Sequence, residues 1–221
     1  MTAFKHGPKP VIGLVGAIGA GKSTAARCFA ARGGLVIDAD GLGHAALTEP
    51  KVIQTLVDRW GGSVRKADGS LDRHAIGKIV FGNRGERDML QSVVFPYIAE
   101  RVREEIERGM NIPDVPFVIN DAALLLEAGW ANMVDKIVYV DAPRELRLAR
   151  VAARSGWTAA DLEAREAAQW PADQKKKQAD VVIINDSGTA ELQEQLDRLL
   201  NGWGLLVGKS KPTGRDASSS D

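Results

Sequence analysis

Near the start of the chain, Gly16-Ala17-Ile18-Gly19-Ala20-Gly21-Lys22-Ser23 follows the spacing G-x-x-x-x-G-K-[ST], with Thr24 next in line. Three glycines let successive backbone N–H groups turn inward as a nest, and a helix opening at Lys22 would add its positive end. A polyphosphate would then be held mainly by backbone. Lys22 would neutralise charge on the β- and γ-phosphates, and the Ser23 hydroxyl would be a ligand for Mg²⁺. The plainer alternative is a glycine-rich turn that only tightens strand-to-helix packing. A second group of residues lies in VIDAD (36–40), where Asp38 ends an apolar run and Asp40 stands two residues on. One carboxylate could take the proton of an acceptor hydroxyl while the other, Asp38, holds Mg²⁺ through water. Both could instead cap the helix that follows, because Asp is a favoured N-cap. Asp121, which ends VPFVIND, is a weaker candidate at the same edge, and Asp141, ahead of Pro143 and a helical pattern, reads as a cap.

Arg147, Arg150 and Arg154 recur at i, i+3 and i+7, one face of a helix. Such a face could close over ATP, neutralise the transferred phosphoryl group and exclude water, or it could be a solvated basic face. Lys175, Lys176 and Lys177 read as solvent-facing, Trp157 and Trp170 as packing residues, and Cys28 as core. No N-K-x-D guanine-reading motif occurs, and no apolar run ends in the Asp-Glu pair of motor ATPases, so the missing pieces favour a small-molecule kinase.

The elements that must position these residues follow from the apolar runs. PVIGLVG (10–16), LVID (35–38), VPFVIND (115–121), KIVYVD (136–141) and ADVVIIN (179–185) are continuous rather than alternating, as in strands buried on both faces. Helical patterns lie between them, among them KSTAARCFAARG and ERDMLQSVVFPYIAERVREEIERG. Strands alternating with helices give an α/β fold: a parallel five-stranded sheet with helices on both faces. In open parallel sheets the ligand lies beyond the carboxyl ends of the strands, where the acids above are placed. The nucleotide-binding core is expected over 10–40, 115–141 and 179–207. Residues 41–114 are far more than one crossover helix needs and are expected to form an inserted helical lobe. Residues 142–178 form a lid region, and the polar tail 208–221 reads as disordered.

At 221 residues one compact α/β unit is expected. Lys plus Arg and Asp plus Glu both number 29, so the balanced charge gives no support to a nucleic-acid partner. A single cysteine and three histidines leave no disulfide and no zinc spacing, which fits a reducing cytoplasm. The longest apolar runs are strand-sized, far short of the ~20 residues that cross a bilayer. A monomer is expected.

Taken together, these residues resemble the dephospho-CoA kinase family over roughly residues 11–200. Besides the phosphate loop, the likeness rests on VIDAD (36–40), Leu71-Asp72-Arg73 after DGS, Val80-Phe81, the LLLE run 124–127, the paired Arg150 and Arg154, the spacing from Gln169 to Lys175, and ADVVIIN. The resemblance implies a P-loop kinase that transfers the γ-phosphate of ATP to the 3′-hydroxyl of the ribose of dephospho-CoA, with Mg²⁺. It matches Asp40 to the family's proposed catalytic aspartate, Gly19, Ala20, Gly21, Lys22, Ser23 and Thr24 to its ATP-binding stretch, Arg150 to the lid arginine on the ATP phosphates, and 41–114 to its CoA-binding domain. Phe95-Pro96 stands where the family usually has His-Pro, and Ala123-Leu124-Leu125-Leu126-Glu127 where it often has P-L-L-x-E. A nucleoside or nucleoside-monophosphate kinase would share the loop, inserted lobe and arginine-bearing lid. A nucleotide-binding regulator or motor ATPase would turn over ATP without a small acceptor.

Overall fold

The computed structural model describes residues 4–206, so the tail expected to be disordered lies outside the described residues. Five strands, β1 (Val11–Gly16), β2 (Leu35–Asp38), β3 (Val118–Asp121), β4 (Lys136–Asp141) and β5 (Val181–Ile184), form one sheet in the order β2-β3-β1-β4-β5. All neighbouring pairs are parallel. The helices are α1 (Lys22–Ala30), α2 (Ala39–Ala46), α3 (Pro50–Trp60), α4 (Arg73–Val80), α5 (Arg84–Met110), α6 (Arg144–Ser155), α7 (Ala159–Glu166), α8 (Ala172–Gln178) and α9 (Thr189–Gly202).

Alternate side chains of each strand point to opposite faces, so a strand covered on both sides must be apolar throughout. In β1, Ile12 and Leu14 join Ala25, Cys28 and Phe29 of α1 and Leu192, Leu196 and Leu200 of α9. Val11 and Val15 pack on the other side with Ile98, Val102 and Ile106 of α5. Phe29 meets Phe117 edge-to-face at 6.0 Å, an arrangement worth roughly 0.5–1.5 kcal/mol beyond area burial. Cys28 is buried on the α1 face. At the sheet edge the pattern departs from expectation. Val182 and Ile184 of β5 are exposed, because both point to one face of the strand while Ile183 points to the other, into the cluster with α9. Gln195 of α9 blunts that edge by bonding both the N–H and the carbonyl of Ile184, at 2.9 and 2.7 Å.

The long segment between β2 and β3 folds into α2 to α5. Asp72 caps α4 by accepting from the N–H groups of His74 and Ala75, and Asn83 caps α5 by accepting from Glu86 N–H. Near the end of α5, Gly109 lies so close to Leu35 and Val118 that a Cβ there would come within 2.8 Å of both side chains. The second half of α5 is thus the crossover helix on the sheet, and one continuous apolar cluster runs from it into α2, α3 and α4. The lobe shares its core with the sheet. Phe95 packs edge-to-face on Trp130 at 5.3 Å, and Pro96 sits within α5 on its exposed side.

Candidate active site

The loop between β1 and α1 runs along the carboxyl edge of the sheet. Gly19 and Gly21 have φ of +79° and +94°, a region that costs a residue with a Cβ about 1–2 kcal/mol. Space forbids a side chain as well. A Cβ on Gly19 would lie 2.7 Å from the Arg147 carbonyl oxygen, and one on Gly21 would lie 2.0 Å from Asn185 Nδ2. Gly21 is the N-cap of α1 and no side chain caps that helix, so its first N–H groups face the cavity as an anion site. Ala20 is buried and its own N–H bonds the Ala17 carbonyl at 3.0 Å, so it shapes the loop from within. Ser23 and Thr24 follow on the first turn of α1 and, with Gly16, Gly19, Gly21 and Lys22, line a cavity of about 1240 Å³.

Lys22 reaches from α1 across to two acids. Its Nζ is 3.2 Å from Asp40 Oδ2 and donates a short hydrogen bond to Asp121 Oδ1. Burial alone would pull the Lys22 pKa down, but Asp121 and Asp40 outweigh it and hold the ammonium above its ordinary value. Asp121 is itself buried at the end of β3, and burial, aided by the nearby Asp40 and Asp38, pushes its carboxyl up against the pull of Lys22. One ammonium therefore faces two carboxyl groups, Asp121 and Asp40, with Asp38 acting on Asp121 from nearby. Asp121, the weaker candidate from sequence, is the closest partner of the loop lysine, and its signal was its place as the last residue of an apolar run.

The two acids of VIDAD have separate tasks. Asp38 is the N-cap of α2 and accepts from Gly41 N–H at 2.9 Å; it is not among the residues that line the cavity. Asp40 lies in the first turn of α2, lines the cavity, and accepts from Ala123 N–H at 3.2 Å. The capping alternative thus holds for Asp38 and fails for Asp40, whose carboxylate is tied to the next strand's loop and to Lys22. Asp141 does not cap α6, whose N-cap is Pro143; its carboxylate pairs with Lys176 at 2.7 Å.

The arginine face of α6 divides in the same way. Arg147 is turned into the protein, bonding the Ala142 and Ile18 carbonyls and Glu166. Arg150 bonds the Ala20 carbonyl at 3.3 Å and the Asn185 carbonyl at 2.9 Å while lining the cavity beside the loop. Arg154, one turn on, is exposed and also lines it. Asn185, just past β5, is buried and donates from Nδ2 to the Ala20 carbonyl at 2.8 Å. This clamp was not singled out from sequence, and its sign was a polar residue closing the apolar run ADVVIIN. Two further readings change. Lys175 is buried with 2 % of its side chain exposed and pairs with Glu127 at 2.7 Å, because α8 turns it inward beneath the cavity. Trp157 lines the cavity with the Arg165 guanidinium 3.9 Å over its ring, rather than packing in a core.

Across the cavity from the loop, the helical lobe supplies Arg73, His74, Lys78 and Arg87. The Leu71-Asp72-Arg73 triplet explains itself here, since Leu71 is buried and Asp72 starts α4 so that Arg73 stands at the cavity. Arg73 also bonds His44 of α2 at 2.6 Å. Replacing Arg150 with Ala is expected to weaken ATP binding and slow turnover together, each by about tenfold or more, because a guanidinium on the loop is worth about 1.5–3 kcal/mol in a charge-assisted bond. Lys176→Ala removes a partly exposed ion pair worth at most about 1 kcal/mol and is expected to leave both constants within twofold. Steady-state KM and kcat for ATP check the contrast.

A parallel sheet with a phosphate loop after its central strand, a lysine in that loop, and an inserted lobe facing it define a P-loop kinase. The family model described as dephospho-CoA kinase matches residues 10–191. Among curated relatives, the dephospho-CoA kinase of Carboxydothermus hydrogenoformans is 36% identical over 195 residues, covering 88% of this chain and 94% of its own. That of Anaeromyxobacter dehalogenans is 39% identical over 192 residues, covering 86% and 90%. A crystal structure from Thermus thermophilus superposes with a TM-score of 0.75 at 34% identity, over 88% of this chain and 97% of its own. The shikimate kinase of Acinetobacter baumannii, at 18% identity, 89% and 96% coverage and a TM-score of 0.51, shares the fold. The chain belongs to the dephospho-CoA kinase family. Among the described residues no helix is long and apolar enough to cross a membrane.

Proposed function

We propose that this chain transfers the γ-phosphoryl group of ATP to the 3′-hydroxyl of the ribose of dephospho-CoA, yielding coenzyme A and ADP. The observation that carries the reading is that one cavity holds the phosphate loop on one side, the basic face of the lobe on the other, and Asp40 between them. Membership of the dephospho-CoA kinase family supports the choice of acceptor. The backbone of Gly19 to Ser23 and the start of α1 hold the nucleotide phosphates, and Thr24 extends that turn. Arg150 and Arg154 meet the same phosphates from the lid. Arg73, Lys78 and Arg87 suit the anionic acceptor, whose pyrophosphate needs counter-charge.

In the transfer step the acceptor oxygen bonds to the γ-phosphorus as the bond from that phosphorus to the β-bridging oxygen breaks, and ADP leaves. Asp40 accepts the hydroxyl proton, acting as general base. Lys22 moves its charge to the β- and γ-phosphate oxygens, where negative charge lies in the transition state. The residues also fit Mg²⁺. Asp40 and Asp121 share the single Lys22 ammonium, with Asp38 near Asp121, and Ser23 offers a hydroxyl at the cavity. Ser23 would hold Mg²⁺ through its hydroxyl, and Asp38 or Asp121 would act on the ion's waters. When bound, Mg²⁺ would neutralise phosphate charge. In an assay of ADP release over several acceptors, dephospho-CoA is expected to stimulate release, with AMP, dTMP, shikimate and gluconate near background. Stimulation by any of those four without dephospho-CoA, or ATP turnover indifferent to it, would overturn the reading.

A further inference from the structure

The most deeply buried cation among the described residues is not in the phosphate loop. Lys175 of α8 has 2 % of its side chain exposed, and its ammonium makes three contacts: Glu127 Oε1 at 2.7 Å, the Ala123 carbonyl at 3.0 Å and Gln169 Oε1 at 3.0 Å. Glu127 Oε1 also accepts from Trp170 N–H at 3.0 Å. The pair therefore ties the lid segment, through Gln169 and Trp170, to the loop that leaves β3. Burying a charge this fully is costly, and a hydrophobic pair of the same volume would often be at least as stable. Stability alone does not account for it.

What the pair touches lies at the cavity: Ala123 and Gln169 both line it. Ala123 is held at its carbonyl by Lys175, and its N–H donates to Asp40 beside the contact from Lys22. An ammonium has only donors, so Gln169 must present its amide oxygen to Lys175. The amide NH₂ is then what Gln169 has left to offer the cavity it lines.

We propose that the buried Lys175–Glu127 pair is a positioning element for the phosphoryl acceptor: it fixes the Ala123 backbone that orients Asp40, and it sets the Gln169 amide with its NH₂ group as a donor to the acceptor. The inference rests on the transfer to dephospho-CoA proposed above. Neither residue touches the reacting atoms. The pair acts on the acceptor half of the site, while the nucleotide half rests on the loop, Lys22 and Arg150. A near-attack geometry disturbed by about 1 Å can cost on the order of 10²-fold in rate.

Removing Lys175 alone would strand Glu127 as a buried unpaired charge and could unfold the protein, so the test uses the neutral double variant Lys175→Met/Glu127→Gln. Gln169→Ala, which leaves the ion pair in place, is the second variant. For each, melting temperature, kcat, KM for dephospho-CoA and affinity for a non-hydrolysable ATP analogue are measured against wild type. The double variant is expected to fold, to bind the analogue within about twofold of wild type, and to lose roughly 10–100-fold in kcat. Gln169→Ala is expected to raise the KM for dephospho-CoA several-fold with analogue affinity unchanged. A folded double variant with wild-type kcat and KM would overturn the inference. So would a double variant that loses nucleotide affinity in step with turnover, or one that cannot fold while Gln169→Ala behaves as wild type. Absence of transfer to dephospho-CoA in the wild-type protein would instead overturn the function proposed above, and the two failures are thereby distinguished.

Discussion

Asp40→Asn is expected to lower kcat by about 10²–10⁴-fold, the range for loss of a general base, while both substrates still bind. Asn matches Asp in size and keeps an oxygen for the Ala123 N–H, now at 3.2 Å from the carboxylate. It cannot take a proton from a hydroxyl. Helix capping does not confuse the result, because the cap of α2 is Asp38. The carboxylate of Asp40 is about half exposed, so its loss removes little packing and the melting temperature should change by only a few degrees. Asp38→Asn is the internal control: Asn caps about as well as Asp, so stability is retained, and any defect should be overcome by raising Mg²⁺ if Asp38 holds the ion's waters. The measurement is kcat for both variants across a Mg²⁺ titration, with melting curves. A fully active Asp40→Asn enzyme would remove Asp40 from the chemistry and leave Asp121 as the base.

Lys22→Ala is expected to cost about 10²–10³-fold in kcat, roughly 3–4 kcal/mol, as when a preorganised charge-stabilising donor is removed. The structure adds a second effect. Lys22 also neutralises Asp121, whose carboxyl is already pushed up by burial. Without the ammonium that carboxyl is pushed higher still, and the folded state holds its proton more tightly than the unfolded chain does. An acid with a raised folded pKa loses stability as pH rises from its unfolded value to its folded one. The variant should therefore melt close to wild type near about pH 5 and fall behind it near about pH 8, by about 1–3 kcal/mol for a stranded buried partner. Lys22→Ala combined with Asp121→Asn should recover the stability and not the activity. If turnover is unchanged in Lys22→Ala, the loop has no part in the chemistry; if the stability gap does not widen with pH, Asp121 does not depend on Lys22.

Much of this was legible in the chain itself. The phosphate loop could be read because its chemistry needs small residues at fixed spacing, and that requirement is local: the positive φ of Gly19 and Gly21 is open to glycine at no steric cost. The strands could be read from continuous apolar runs, which burial on both faces requires in β1, β3 and β4; β2 and β5 carry the same runs without that burial. Asp38 and Asp40 could be marked together because the ends of such strands are where a parallel sheet keeps its ligand, and Arg147, Arg150 and Arg154 by their helical spacing; the choice of Asp40 and Arg150 among them rests on the resemblance to the family.

Other assignments depended on which residues meet across the fold. Lys175, Lys176 and Lys177 are identical in type and adjacent in sequence, yet Lys175 is buried against Glu127, Lys176 pairs with Asp141 and Lys177 is exposed. Their difference comes from the 100° turn between neighbours on a helix and from which face of α8 meets the sheet. In the same way Arg147 turns inward and Arg150 meets the loop, although both stand on one predicted face of α6. Asn185 lies 165 positions from the Ala20 carbonyl it holds, and Asp121 lies 99 from Lys22. Local spacing carries the conformation of a loop and the period of a strand, because those are set by neighbours along the chain. The partner of a charge is set by strand order, and the order β2-β3-β1-β4-β5, which brings Asp121 beside the loop and Asn185 behind it, exists only once the sheet is assembled.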